Sequence, residues 1–177
     1  MNVGIIAFLG DVSEHINAVK RAFSELEITG NATPIRSKKE LKAVDGLIIP
    51  GGESTTISKL MVKAGMDEII RERASGGLPI MGTCAGCILL AKEGDKEVEE
   101  SETILLGLMD MKVKRNAFGR QRESFETTLS IAGFENPYEA VFIRAPTVEE
   151  VWGGCRALAR LEGRIVMAKQ RNLMAVS

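Results

Sequence analysis

The chain has 177 residues, 45% of them hydrophobic, and a formal net charge of -1. That length suits one domain with a sizeable core, and the balanced charge leaves no basic surplus for nucleic acid or an anionic membrane. Three cysteines, no cationic and apolar leader and no apolar run of spanning length predict a cytoplasmic protein with reduced thiols.

Residues 3–8 form a continuous apolar run ended by Gly10-Asp11, the pattern of a strand buried on both faces. Val12, Ile16, Val19, Phe23 and Leu26 follow at helical spacing and give one stripe to lay against a sheet. A short strand is predicted at 32–35, then a brief helix opened by the capping box Ser37-Lys38-Lys39-Glu40. Residues 44–50 read as a second buried strand ended by Gly51-Gly52, and 55–64 and 66–74 as helices. Alternating strands and helices predict an α/β fold of three layers, a largely parallel sheet flanked by helices, with the working site at the carboxyl ends of its strands. Residues 93–103 are polar and acidic and read as an exposed loop. Strands are predicted at 109–113, 125–131, 140–143, 157–161, 165–168 and 173–176, giving an antiparallel portion in the C-terminal half with one hairpin turn at Glu162-Gly163.

Gly82-Thr83-Cys84-Ala85-Gly86 lies between the apolar run Leu78-Pro79-Ile80-Met81 and a helical pattern. A nucleophile on a sharp strand-to-helix turn leaves no room for a Cβ two residues before or after it, and Gly82 and Gly86 meet that need. The turn sets the sulfur of Cys84 at a helix N-terminus, an address that favours thiolate. The N–H of Ala85 can hold an oxyanion formed beside it. Pro50-Gly51-Gly52-Glu53-Ser54-Thr55 ends the preceding strand and can supply a second donor.

On these segments, with Gly107-Leu108-Met109-Asp110, Arg115-Asn116-Ala117-Phe118-Gly119-Arg120-Gln121 and Phe142-Ile143-Arg144-Ala145-Pro146, the sequence resembles class I glutamine amidotransferases, and among them the pyridoxal 5′-phosphate synthase branch. The resemblance implies a flavodoxin-like fold and hydrolysis of L-glutamine to glutamate and ammonia. It implies Cys84 as nucleophile, Gly52 and Ala85 as the oxyanion hole, and Gly52, Glu53, Ser54, Arg115, Ile143 and Arg144 around the substrate. Arg115 or Arg144 can pair with the α-carboxylate of glutamine and Glu53 with its α-ammonium. Ammonia would pass to a separate synthase subunit in a hetero-oligomer, with no cofactor or metal bound by this chain.

Three departures accompany the resemblance. The general base and its carboxylate come, in such proteins, from a His-Pro-Glu segment after the last strand, whereas the sequence stops at Ser177 and its one histidine is His15, with nothing to bring it to Cys84. Residues 1–177 are therefore expected to form a single domain lacking its C-terminal end, with apolar sheet surface left uncovered. Leu9 replaces a glutamine that helps order the site when the partner docks. Cys87 creates Cys84-Ala85-Gly86-Cys87, whose spacing also fits a thiol-disulfide oxidoreductase. A catalytically silent docking subunit is the remaining reading, and Cys155 is expected to be a packed or turn cysteine.

Overall fold

The computed structural model describes residues 1–117 and 124–177, so Phe118, Gly119, Arg120 and Gln121 of the third motif lie outside the described residues. The first half alternates as the apolar runs predict: β1 (Asn2–Ile6), α1 (Val12–Glu25), β2 (Asn31–Ile35), α2 (Lys38–Lys42), β3 (Gly46–Ile49), α3 (Ser54–Lys63), α4 (Met66–Ser75), β4 (Ile80–Thr83) and α5 (Ala85–Leu90). The runs are continuous because side chains of both parities are buried. Val3, Ile5 and Ile48 pack beneath Val12, Ile16, Val19 and Phe23 of α1 on one face. Ile6, Leu47, Ile49 and Ile80 meet Ile57, Met61, Ile70 and Leu89 on the other. Burying each such side chain contributes about 1.5–3 kcal/mol. The α1 stripe stops at Phe23, since Leu26 falls at the helix cap and is 67% exposed. Ser37 caps α2 as its box predicts, accepting from the N–H of Glu40, whose carboxylate accepts from the N–H of Arg36.

The second half contains β5 (Ala91–Gly94), α6 (Lys96–Glu100), β6 (Met109–Lys114), β7 (Ser124–Leu129), β8 (Tyr138–Ile143), β9 (Thr147–Val151), β10 (Arg156–Leu161), β11 (Arg164–Gln170) and β12 (Leu173–Val176). Among the described residues one sheet runs β2-β1-β3-β4-β12-β11-β9-β6-β5, with β10 on β11, while β7 and β8 make a separate ribbon. Strands β2, β1, β3, β4 and β12 are parallel. Antiparallel pairing then takes over between β12, β11, β9 and β6. The turn between β10 and β11 is the predicted one, with positive φ at Glu162 and Gly163, the twist a two-residue hairpin requires.

Two expectations fail. Residues 93–103 are not an exposed loop: β5 pairs with β6, and Asp95 caps α6 through the N–H of Val98, whose side chain is buried. Strand β9 was not expected because its pattern does not alternate, with Thr147 and Val148 buried and Glu149 and Glu150 exposed. An apolar groove lies beside α1, lined by Phe23, Ile48, Met81 and Met174 among others.

The chain moves outward from β1 to β2 and then returns to β3 on the other side of β1. Helices α1 and α3 therefore leave from adjacent strand ends toward opposite faces, and a crevice opens between them at the carboxyl ends of β1, β3 and β4.

Candidate active site

Cys84 sits between β4 and α5 with φ 48° and ψ -103°, a conformation that strains an L residue and lifts its side chain off the sheet end. A Cβ on Gly82 would run into the Gly86 carbonyl, and one on Gly86 into the carbonyl of Ile49 on β3, so the sharp turn closes only with both glycines. The Cys84 N–H donates to the Val176 carbonyl at 2.8 Å, and the Ile88 N–H donates to the Cys84 carbonyl at 3.2 Å to begin α5. The elbow is thus pinned to β12 on one side and to its own helix on the other.

The elbow opens into a cavity of about 640 Å³ in the crevice, and each predicted site residue lines it: Cys84 and Ala85, Gly52, Glu53 and Ser54, Arg115, and Ile143 and Arg144. The backbone N–H groups of Ala85 and Gly52 both lie near enough to the sulfur to favour its ionised form. Gly52 has φ 135°, accessible to glycine, and this turns its N–H toward the elbow. Burial pushes the Cys84 thiol up, those two N–H groups pull it down in part, and the charge of Asp11 adds to the rise. The expected thiolate-favouring address is therefore outweighed in the resting site, because desolvation acts on the whole charge and α5 is a helix of only 6 residues.

Glu53 caps α3, accepting from the N–H of Thr55 at 3.0 Å and of Thr56 at 2.6 Å, and it accepts from the Arg115 guanidinium at 2.6 Å. Burial opposes its ionisation, yet the Thr56 hydroxyl, the two N–H groups and Arg115 together hold its carboxyl at about 2, against 4.5 for a free group. This lowered value means the cap stabilises the fold fully above pH 4.5 and is lost as pH falls toward 2. With its side chain 46% exposed, the ion pair itself adds little and the cap dominates. Replacing Glu53 by Ala is expected to cost about 1 kcal/mol at pH 7, roughly 2–4 °C in Tm for a domain of this size. Melting curves of both proteins should converge between pH 4.5 and 2, and a constant difference across that range would contradict the assignment.

Arg115 follows β6, and its N–H donates to Asp95 at 3.3 Å, so the segment between β5 and β6 brackets the arginine. Sequence reasoning missed Asp95, for which the available signal was an N-cap residue before Lys96 with Glu97 and Glu99 in the first turn. Ser54 is 2% exposed, and its hydroxyl has no hydrogen-bond partner among the described residues. Arg144 has φ 45° at the end of β8, where the ribbon is anchored by stacking of Phe125 on Phe142, ring centroids 5.2 Å apart. Ile143 stands 63% exposed on the cavity rim. The motif residue Asp110 lies elsewhere, accepting from Lys92 and Gln170 and joining β6 to β5 and β11.

His15 departs from expectation, whereas Cys155 is the packed turn cysteine that was expected. His15 is half-buried and lines the cavity with Asp11, although the sequence gave no reason to bring it near Cys84. The available signal was position: both residues open the helix that follows β1, whose carboxyl end faces the crevice. Cys87 is 0% exposed in the core and its burial pushes the thiol far up, which removes the exchange chemistry of an oxidoreductase. Leu9 is exposed, and Cys155 is buried in a turn with its N–H on the Trp152 carbonyl. Among the described residues no group of three or more His, Cys, Asp or Glu could hold a metal ion, and no helix is long and apolar enough to cross a membrane.

Comparison with known proteins gives the family. The SNO glutamine amidotransferase family matches residues 5–177. A relative from Methanococcoides burtonii, pyridoxal 5′-phosphate synthase subunit PdxT, is 50% identical over 99% of this chain and 88% of its own length. The protein of the same name from Archaeoglobus fulgidus is 48% identical over 100% of this chain and 89% of its own. A glutamine amidotransferase crystal structure superposes with a TM-score of 0.86 at 42% identity, covering 98% of this chain and 87% of that one. The chain belongs to the SNO glutamine amidotransferase family.

Proposed function

We propose that this protein is the glutaminase subunit of a pyridoxal 5′-phosphate synthase, releasing ammonia from L-glutamine for a synthase subunit. The observation that carries the reading is one sulfur at a strained elbow, in a cavity lined also by Gly52 and Ala85 and presenting a guanidinium and a carboxylate. Family membership supports an enzyme acting on glutamine and not a docking-only subunit, and the shared name of the two archaeal relatives supports the synthase as partner.

In this reading the sulfur of Cys84, having lost its proton, attacks the side-chain amide carbon. The N–H groups of Gly52 and Ala85 turn from sulfur to the developing oxyanion. The carbon–nitrogen bond breaks as the amide nitrogen takes up the proton given up by the thiol and leaves as ammonia, and water then cleaves the γ-glutamyl thioester to glutamate, returning a proton to the sulfur. Arg115 and Glu53, paired in the resting site, separate to meet the α-carboxylate and α-ammonium of the zwitterion. The Ser54 hydroxyl, which has no partner among the described residues, gains one from the substrate. Ile143 and Arg144 close the rim from the β7-β8 ribbon.

The test is glutamate release from L-glutamine by the full-length protein with its synthase subunit. Arg115→Ala should raise KM by roughly tenfold or more, since a hydrogen bond to a charged group is worth about 1.5–3 kcal/mol, while kcat stays within a few-fold. No glutamate from a folded chain whose Cys84 still reacts with alkylating reagents would overturn the reading.

A further inference from the structure

The segment 10–15 touches both halves of the reacting centre. Gly10 has φ 95° and lies so close to the glycine turn that a Cβ on it would meet the Gly51 carbonyl, with Gly52 next in reach. Five residues on, the His15 ring nitrogen Nε2 is 3.0 Å from Thr83 Oγ1, a hydrogen bond spanning 68 positions of sequence. Thr83 ends β4 and is followed directly by the strained Cys84. The same first turn of α1 is stiffened by the His15 N–H on the Asp11 carbonyl. One rigid piece therefore rests on the backbone that carries the Gly52 N–H and grips the residue that leads into the nucleophile.

We propose that His15 is a positioning residue for Cys84: its bond to Thr83, with Gly10 seated on Gly51, fixes the separation between the sulfur and the Gly52 N–H. This rests on the glutaminase reading for its catalytic consequence, but not for its geometry. The demand is physical, because an oxyanion donor misplaced by about 1 Å can lose on the order of 100-fold in rate. Burial pushes the imidazole's pKa down, against the opposing charges of Asp11 and Glu14, and a neutral ring can either donate to or accept from the threonine hydroxyl.

The experiment compares His15→Phe, His15→Gln, Thr83→Val, Thr83→Ser and the double variant His15→Phe with Thr83→Val, in the full-length protein bound to its synthase. Glutamine kinetics are read alongside the rate of Cys84 alkylation by iodoacetamide and the melting temperature. His15→Phe and Thr83→Val should each lower kcat by about fivefold to tenfold, the effect of one lost hydrogen bond, with KM within twofold. Both should also change the alkylation rate. His15→Gln and Thr83→Ser, which keep a hydrogen-bonding group, should recover most of the loss, and the double variant should be no worse than the poorer single one. A kcat within twofold of the parent for His15→Phe overturns the proposal, as do losses that multiply in the double variant or follow melting temperature alone. If the parent protein releases no glutamate, the glutaminase reading fails, and the alkylation rates of the same variants still decide the positioning role.

Discussion

Replacing Cys84 by Ala removes glutamine hydrolysis while leaving the fold intact, by about 10⁴-fold or more in kcat, since loss of the nucleophile in a covalent mechanism costs on the order of 10⁶ where it has been dissected. What persists comes from the Gly52 and Ala85 donors and from substrate binding alone. Stability should shift little, because Cys84 is only partly buried and a thiol is a weak acceptor. A Cys84→Gly variant supplies an internal check on the strained turn. Glycine adopts φ 48° without penalty, so it should melt above Cys84→Ala by the equivalent of about 1 kcal/mol or more. Steady-state glutamate release and thermal unfolding measure both effects. Residual activity within 100-fold of the parent would exclude Cys84 as the nucleophile.

Gly86→Ala is expected to be more damaging to the protein as a whole than the loss of the thiol. The added methyl points at the carbonyl of Ile49, a residue of β3 with no exposure, and neither backbone can retreat because β3 is paired on both sides. Overpacking of this kind costs about 3 kcal/mol, roughly 6–12 °C in Tm. Relief by moving α5 would carry Ala85 and its N–H off the sulfur, so activity falls even in molecules that remain folded. Gly82→Ala meets the carbonyl of Gly86 from the other side of the same turn and should behave alike. Thermal melts with glutamine turnover at a temperature where both proteins are folded separate the two losses. A Gly86→Ala protein with the parent's Tm and kcat would mean that the turn has more room than the geometry gives it.

The Cys84 turn was legible because it is local. Glycines at both flanks, an apolar run before and a helical run after are a complete steric description of a sharp strand-to-helix bend, and a short window of sequence contains all of it. The paired glycines at 51 and 52 were legible for the same reason, and the family likeness added Arg115, Ile143 and Arg144 from distant segments. The thiol's resting state was not legible: the helix start could be read, but the desolvation that outweighs it comes from residues packed around the cavity. Strand β9 and the α6 segment escaped because their burial follows partners rather than periodicity, with Val98 as the buried anchor of an otherwise charged stretch.

By itself the sequence determined which segments are strands buried on both faces, where the chain must bend around Cys84, and which glycines must remain glycine. Those are matters of local sterics and of apolar spacing along one piece of chain. Only the tertiary structure decided that Arg115 meets Glu53, that His15 meets Thr83 and that Asp11 faces the sulfur. Each pair joins residues far apart in sequence, brought together by the reversal of strand order between β1 and β3 and by the return of β12 beside β4. Strand order is set by which buried faces fit together across the whole sheet, and no local pattern records it.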